Sequence, residues 1–180
     1  MRIIAGTFKG KKILDPMDIA TRPLKDLTKE SIFNIINHSN KFEINLEGSN
    51  ILDLFSGVGS FGIECLSRGV KNVVFIENYN GVLPILKKNL INLKLSNNYN
   101  IIEQDIYDKN LFFKFDNKFD IIFLDPPYKN KNLENLLINI KNAKILDKNG
   151  IIIVHRHKNE KDIIPKKYGI SKIIFLTILN

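Results

Sequence analysis

Cysteine is nearly absent from this sequence, and long apolar runs are missing altogether. Cys65 is the only cysteine among 180 residues, so the chain cannot form an internal disulfide, and a reducing cytoplasm suits it. No apolar run approaches the ~20 residues that a helix needs to cross a bilayer. The opening stretch MRIIAGTFKGKK lacks the apolar segment and cleavage site of a signal peptide. We therefore expect a cytoplasmic protein that has no membrane partner.

Patterns typical of metal sites and of nucleophilic catalysis are also missing. His155 and His157 follow an apolar run, but no third ligand with the spacing of a zinc site stands near them. The spacing of serine, histidine and aspartate indicates no catalytic triad. Cys65 lies in a predicted helix, where a buried small side chain is expected rather than a nucleophile. We expect no metal cofactor.

Positive charge, by contrast, is plentiful. The chain carries 27 Lys and Arg against 19 Asp and Glu, a net charge of +8, and 44% of its residues are hydrophobic. This length and composition fit one packed globular domain. The excess of positive charge favours a polyanionic partner, most simply nucleic acid. Part of the lysine content is also expected from AT-rich coding, since Lys, Asn and Ile are all frequent.

Short apolar strands alternate with amphipathic helices along most of the chain. Strands are predicted over 50–55, 72–77, 100–105, 119–125 and 150–155, with a final strand within 168–180. Helices are predicted over 24–40, 60–69, 79–95 and 133–146. This alternation predicts an α/β, Rossmann-like fold with a mostly parallel sheet and helices on both faces. We divide the single domain into a hairpin-and-helix extension (1–45) and a Rossmann-like core (46–180).

Four acidic residues follow predicted strands at or near their carboxyl ends: Asp53, Glu77, Asp105 and Asp125. The carboxyl ends of parallel strands meet at one edge of a sheet, and ligands bind at that edge in folds of this kind. One acid at a strand end is ordinary in a solvated turn. Four of them indicate a binding site.

The glycine-rich stretch DLFSGVGSFG follows the first of these strands. Gly57, Gly59 and Gly62 have GxGxxG spacing, and Glu77 follows 20 residues after Gly57, as in a dinucleotide-binding loop. Asp53 argues against that interpretation, because a carboxylate beside the loop disfavours a pyrophosphate. It suits a ligand that carries positive charge. S-adenosylmethionine carries a sulfonium and an ammonium group and no phosphate.

The acids and glycines together predict a site for this methyl donor. The glycines let the backbone approach the methionine part, Glu77 can accept both hydrogen bonds of the ribose diol, and Asp105 can accept one from the adenine amino group. The predicted donor site consists of Asp53, Phe55, Gly57, Gly59, Glu77, Asn78, Asp105 and Ile106.

The stretch DIIFLDPPYKN, residues 120 to 130, predicts the reacting centre. An exocyclic amine on a base is a poor nucleophile, because its lone pair is delocalised into the ring. Asp125 and the carbonyl of Pro126 can accept hydrogen bonds from its two N–H groups, and Pro126 and Pro127 hold these acceptors in place. Tyr128 offers a flat face on which a base removed from its stack can lie. The predicted catalytic residues are Asp125, Pro126 and Tyr128.

An Asp-Pro-Pro-Tyr motif after DLFSGVGSFGIECLSRG is characteristic of Rossmann-like amino-methyltransferases. With RIIAGTFKGKKI, TRP…KESIFNII and SGVGSFGIECLSRGVKNVVFIE, the chain resembles bacterial small-subunit (16S) ribosomal RNA guanine-N2 methyltransferases over nearly its whole length. The resemblance implies the S-adenosylmethionine-dependent methyltransferase fold and methylation of one guanine amine. By analogy, the segment that begins at Arg22 and Pro23 would close over the methionine end of the donor.

Two alternatives stay open at this point. The same chemistry could act on another amine, namely adenine in RNA or DNA or a glutamine side chain. A nicotinamide-dependent oxidoreductase could use the GxGxxG loop, although Asp53 and the Asp-Pro-Pro-Tyr turn count against it. A domain of this size has little surface with which to read a long RNA. We therefore expect a monomer that acts on rRNA within a ribosomal particle or assembly intermediate.

Overall fold

A computed structural model describes residues 1–17, 24–40, 42–95, 98–127, 132–156 and 172–177. Its helices are α1 (Asp26–His38), α2 (Ser60–Ser67), α3 (Leu83–Asn92) and α4 (Leu133–Ala143), with a short 3-10 helix at Phe112–Lys114. Its strands are β1 (Asn50–Leu54), β2 (Asn72–Ile76), β3 (Tyr99–Ile102), β4 (Phe119–Leu124), β5 (Leu146–Arg156) and β6 (Lys172–Leu176). Within these ranges, no helix has both the length and the apolar character needed to cross a bilayer.

All the strands named above belong to one sheet, in the order β3-β2-β1-β4-β5-β6. Neighbouring strands are parallel except for β5 and β6, which are antiparallel. Successive strands run outward from β1 in one direction and from β4 in the other, so the order reverses between these two strands. In such sheets, ligands bind at this reversal, outside the carboxyl ends of the strands.

Side chains that alternate along the strands build two separate cores. Ile121 packs in one core with Phe61 of α2 and Leu86 of α3, whereas the next residue, Ile122, packs in the other core with Leu136 of α4. We call the two sides the α2 face and the α4 face. The predicted mostly parallel sheet covered by helices on both faces is confirmed.

Several element boundaries differ from the prediction. Helix α3 begins only at Leu83, because the residues before it form a turn closed by the Val82 N–H and the Tyr79 carbonyl. Helix α4 ends at Ala143, because the next residue, Lys144, has a left-handed backbone with φ of 52°. Strand β3 is shorter than predicted and ends at Ile102. The sequence pattern also gave no sign of the 3-10 helix.

Residues 1–17, here called the N-terminal segment, fold against α2. As in the predicted short hairpin, Arg2 and Lys12 form an antiparallel bridge, and the Ile3 N–H donates to the Lys11 carbonyl at 3.0 Å and the Ile13 N–H to the Met1 carbonyl at 3.1 Å. The Thr7 N–H donates to the Ser67 carbonyl at the end of α2, at 2.7 Å. Ile3 is buried in the core of the α2 face. The N-terminal segment therefore shares a core with the sheet.

A buried carboxylate, Glu64 of α2, joins this segment to the rest of the domain. The Ile4 and Ala5 N–H groups donate to its oxygens at 2.8 and 3.0 Å. The Arg68 guanidinium contacts Glu64 at 2.9 Å, and the Lys29 ammonium lies 3.5 Å from it. Both Lys29 and Glu64 are fully buried. One acid of α2 therefore holds the N-terminal segment and α1 together.

Lys29 completes this cluster from α1. Its ammonium donates to the Arg2 carbonyl at 2.8 Å. Burial lowers the pKa of Lys29, while the charges of Glu64 and Asp26 oppose that change. Removing one member of a buried ion pair leaves the other charge without compensation, which is strongly destabilising.

We expect Glu64→Gln to lower the free energy of unfolding by about 3–5 kcal/mol, because the buried Lys29 charge loses its buried partner and keeps the partly exposed Asp26 at 3.8 Å. Urea unfolding monitored by circular dichroism measures the change. Glu103→Gln is the matched control, since Glu103 pairs with Lys87 on the surface, where both side chains are about half exposed. The control should change the free energy by no more than ~1 kcal/mol. Equal small losses in the two variants would show that the Glu64 cluster does not hold the N-terminal segment.

Candidate active site

The carboxyl ends of the central strands lie side by side. Leu54 of β1 pairs with both Ile76 of β2 and Leu124 of β4. The residues that follow the last two are Glu77 and Asp125. Two of the predicted acids, Glu77 and Asp125, therefore lie at the same level of the sheet, on either side of β1.

Asp53 lies between them, one residue before the end of β1. Its side chain is only 1% exposed and accepts a hydrogen bond from the Gly62 N–H at 3.0 Å. Burial raises its pKa well above the usual range for a carboxyl group; the Gly62 hydrogen bond opposes this, and the charges of Asp125 and Glu77 add to it. No basic side chain of the described ranges forms an ion pair with Asp53. A cationic ligand would supply the missing counter-charge.

The glycine loop brings α2 close to these acids. A Cβ atom on Gly62 would lie 2.2 Å from Cε1 of Phe75 and 2.9 Å from Oδ2 of Asp53, so only glycine allows this approach. Gly59 precedes α2 with φ of 88°, and a Cβ atom there would lie 2.5 Å from Cδ1 of Leu86. The loop is thus held against the end of β1. Its glycines would let a ligand approach the loop backbone closely.

Glu77 fixes the loop from the side of β2. Its carboxylate accepts hydrogen bonds from the N–H groups of Gly57 at 2.8 Å, Asn78 at 3.0 Å and Tyr79 at 2.9 Å. The side chain is 8% exposed. An ionised carboxylate has about four acceptor positions, so Glu77 can accept a further bond from a ligand. The predicted acid and glycine loop are in direct contact.

The remaining donor-site candidates lie around this loop, with one difference from the prediction. Asp105 is exposed and lies three residues beyond the end of β3, where its carboxylate accepts a hydrogen bond from the Tyr107 N–H at 3.1 Å. Ile106 is buried. Phe55 is half-buried with φ of 59°, and its ring centroid lies 6.2 Å from that of Tyr107. Asn78 is exposed. The Phe55 contact brings the loop after β1 next to the segment after β3.

Asp125 lies at the end of β4, and its carboxylate contacts a histidine. Oδ1 of Asp125 lies 2.8 Å from Nδ1 of His155, with the two side chains 22% and 11% exposed. Pro126 is buried and Pro127 exposed. Tyr128 lies outside the described residues, as do Arg22 and Pro23.

Sequence reasoning considered His155 only as a metal ligand and missed this contact. The two residues are 30 positions apart, so no local motif joins them. The signal available was the parallel pairing of their strands. Leu124 pairs with Val154, and the residues after this pair are Asp125 and His155.

The predicted burial of the cysteine is confirmed. Cys65 is fully buried within α2, and burial raises the pKa of its thiol well above the usual value, so it lacks the thiolate character of a nucleophile. In the part of the chain that the structure describes, no group of three or more His, Cys, Asp and Glu side chains is placed to hold a metal ion.

Comparison with known proteins identifies the family. The model of a family described as "Conserved hypothetical protein 95" matches residues 1–173. The Bacillus subtilis protein named "Putative rRNA methyltransferase YlbH" is 35% identical over 170 residues, which cover 94% of this chain and 88% of that protein. "Ribosomal RNA small subunit methyltransferase D" of Haemophilus influenzae is 34% identical over 176 residues, covering 96% and 86%.

Solved structures agree with this result. The Escherichia coli structure titled "Putative methyltransferase yhhF" has a TM-score of 0.77 at 26% identity and covers 97% of this chain and 96% of its own. "SMU.776, a putative methyltransferase complexed with SAH" shares the fold, with a TM-score of 0.58 at 21% identity over 74% of this chain and 36% of its own. The chain therefore belongs to the Conserved hypothetical protein 95 family, which includes small-subunit rRNA methyltransferases, and has the fold of S-adenosylmethionine-dependent methyltransferases.

Proposed function

We propose that this protein transfers a methyl group from S-adenosylmethionine to the exocyclic N2 amine of one guanine in small-subunit ribosomal RNA. The position of Asp125 carries the proposal: it follows the end of β4, beside the buried acid Asp53, and two prolines come next. The names of the relatives support rRNA as the substrate. The net charge of +8 suits that polyanion.

The donor binds at the glycine loop in this proposal. S-adenosylmethionine supplies an electrophilic methyl group on a sulfonium. Asp53, which forms no ion pair among the described residues, faces the positive charges of the donor. Glu77 accepts a hydrogen bond from the ribose diol through its remaining acceptor position, and Asp105 accepts one from the adenine amino group. Phe55 and Ile106 supply apolar contacts beside them.

Asp125 and Pro126 activate the acceptor amine. Each accepts a hydrogen bond from one N–H of the amine, Asp125 through its carboxylate and Pro126 through its backbone carbonyl, which draws the nitrogen lone pair out of conjugation with the ring. The nitrogen then forms a bond to the methyl carbon as the C–S bond breaks, S-adenosylhomocysteine leaves, and the amine loses one proton to solvent. Burial of Pro126 and its fixed φ hold this carbonyl in place. Tyr128 stacks on the extruded base in the proposal. Acceptors that are already in position need no reorganisation during the reaction.

Mapping the methylated nucleotide tests the proposed function directly. Small-subunit particles from a strain that lacks the gene are incubated with the protein and labelled donor, and the product nucleoside is identified. N2-methylguanine at one position is the expected product. A methylated adenine or glutamine would show that the substrate is one of the other amines and not guanine. Binding of NAD in a thermal-shift assay, without binding of S-adenosylhomocysteine, would contradict methyl transfer altogether.

Asp125→Ala should lower kcat on the order of 10²-fold or more, since one positioned acceptor is lost. Donor affinity should stay nearly unchanged, because the side chain is directed at the amine. Single-turnover methylation and calorimetric titration with S-adenosylhomocysteine measure the two quantities. Glu77→Ala is the contrasting variant and should lose mainly donor affinity. Near wild-type turnover by Asp125→Ala would remove Asp125 from the reaction.

Affinity for S-adenosylmethionine should increase with pH, by at most about tenfold per pH unit. Burial raises the pKa of Asp53, so its carboxyl group stays protonated up to a higher pH. A cationic methyl donor favours loss of that proton. Affinity therefore rises until the pH exceeds the pKa of Asp53 in the free protein.

Asp53→Asn is the control for this pH dependence, because the amide oxygen can still accept from the Gly62 N–H but cannot titrate. Titration of the donor itself affects both proteins equally and cancels in the comparison. Calorimetry in buffers of different ionisation enthalpy also measures the released proton. Identical pH dependence in the two proteins would show that Asp53 does not bind the charged part of the donor.

Protein-bound small-subunit particles should be methylated much faster than protein-free rRNA. Basic side chains give affinity for phosphates but little discrimination among sequences, and stacking of one base contributes only roughly 1–3 kcal/mol. Selection of one guanine must therefore come largely from the folded shape around it. Initial rates on both substrates at the same moderate salt concentration measure the difference. Equal rates would contradict the expectation.

A further inference from the structure

The contact between His155 and Asp125 lies at the carboxyl end of β4. His155 lies in β5, which pairs with β4 on one side and with β6 on the other, where His155 is opposite Ile173. Its side chain is 11% exposed. Pairing with Ile173 fixes the backbone of His155 on the β6 side, and the preceding residue, Val154, pairs with Leu124 on the β4 side, so the imidazole has a defined position relative to Asp125.

Nδ1 of His155 and Oδ1 of Asp125 are 2.8 Å apart, at hydrogen-bond distance. We assign the proton to Nδ1 of His155, because an ionised carboxylate only accepts hydrogen bonds. This bond uses one oxygen of Asp125 and leaves Oδ2 for another donor. It also limits rotation of a side chain that is 22% exposed.

Asp125 needs such a donor because its surroundings are negative. The charges of Asp53 and Asp125 interact, and Glu77 adds negative charge that acts on Asp53. Repulsion from Asp53 favours rotation of the partly exposed Asp125 carboxylate toward solvent. The N–H of an imidazole opposes this rotation. A lysine or arginine would do so too, but its permanent positive charge would repel the cationic methyl donor.

We propose that His155 is a positioning residue, which holds the Asp125 carboxylate so that Oδ2 faces the acceptor amine. This inference rests on the proposed function, since it assigns the amine-binding role to Asp125. His155 itself touches neither the amine nor the donor. Arg156, the next residue, is on the α4 face of β5 together with Val154. It is therefore not in the position from which His155 contacts Asp125.

Two substitutions separate positioning from simple packing. His155→Ala removes the N–H donor. His155→Asn keeps a donor, because the amide nitrogen of asparagine is bonded to Cγ, as Nδ1 is in histidine. We expect His155→Ala to lower kcat on the order of 10- to 100-fold, as displaced reacting groups do, with KM for RNA and affinity for S-adenosylhomocysteine nearly unchanged. His155→Asn should recover most of kcat. A residue that only fills space would lose thermal stability in both variants, without selective recovery by asparagine.

The pairing itself is measured without any substrate. In protein labelled with ¹⁵N-histidine, nuclear magnetic resonance should show His155 protonated at Nδ1, and Asp125→Ala should change that signal. An unprotonated Nδ1, or full kcat in His155→Ala, would overturn the inference. A wild-type protein that methylates no guanine of the small subunit would instead contradict the proposed function, while the resonance experiment still decides the pairing.

Discussion

The buried carboxylate of Asp53 is the constraint on which the arrangement of the site depends. It lies in a core strand, and within the described ranges its side chain accepts one hydrogen bond, from Gly62, so α2 has to approach β1 closely and glycine has to occupy that position. Because burial raises its pKa, Asp53 favours the folded state below the pKa of the unfolded chain. That contribution is lost as pH rises through the folded pKa. At neutral pH the fold therefore carries a cost that a bound cation can offset.

Glu64 shows what a buried acid looks like when its role is structural. It accepts two backbone N–H groups and contacts both Lys29 and Arg68, so its charge is compensated by the protein alone. Asp53 has a single backbone donor and no ion-pair partner among the described residues. Both acids are fully buried, and the difference between them lies in compensation. The incompletely compensated acid is the one at the strand ends, where ligands bind.

The features that a sequence pattern could predict are those that follow from local periodicity. Buried strands and the parallel-sheet rule were enough to bring Asp53, Glu77 and Asp125 together. Asp105 was placed wrongly at a strand end, because β3 ends three residues earlier and a turn takes over. The His155 contact spans 30 residues and depends on which strands pair. Periodicity within one segment carries no information about such pairing, so contacts of this kind become visible only in the folded chain.

The charge of the candidate site differs from that of the chain, and this difference bears on how RNA could bind. Asp53, Glu77 and Asp125 lie at neighbouring strand ends, yet the chain carries a net charge of +8. The exposed residues Lys9, Lys11 and Lys12 lie in the N-terminal segment, which is fixed at the Ser67 end of α2. The helix of eight residues places that end about 12 Å from the glycine loop. The acidic site repels phosphates. An RNA substrate would therefore keep its backbone on basic surfaces such as the one formed by these lysines. Only a neutral base would then enter, which matches the extrusion of a single guanine in the proposed reaction.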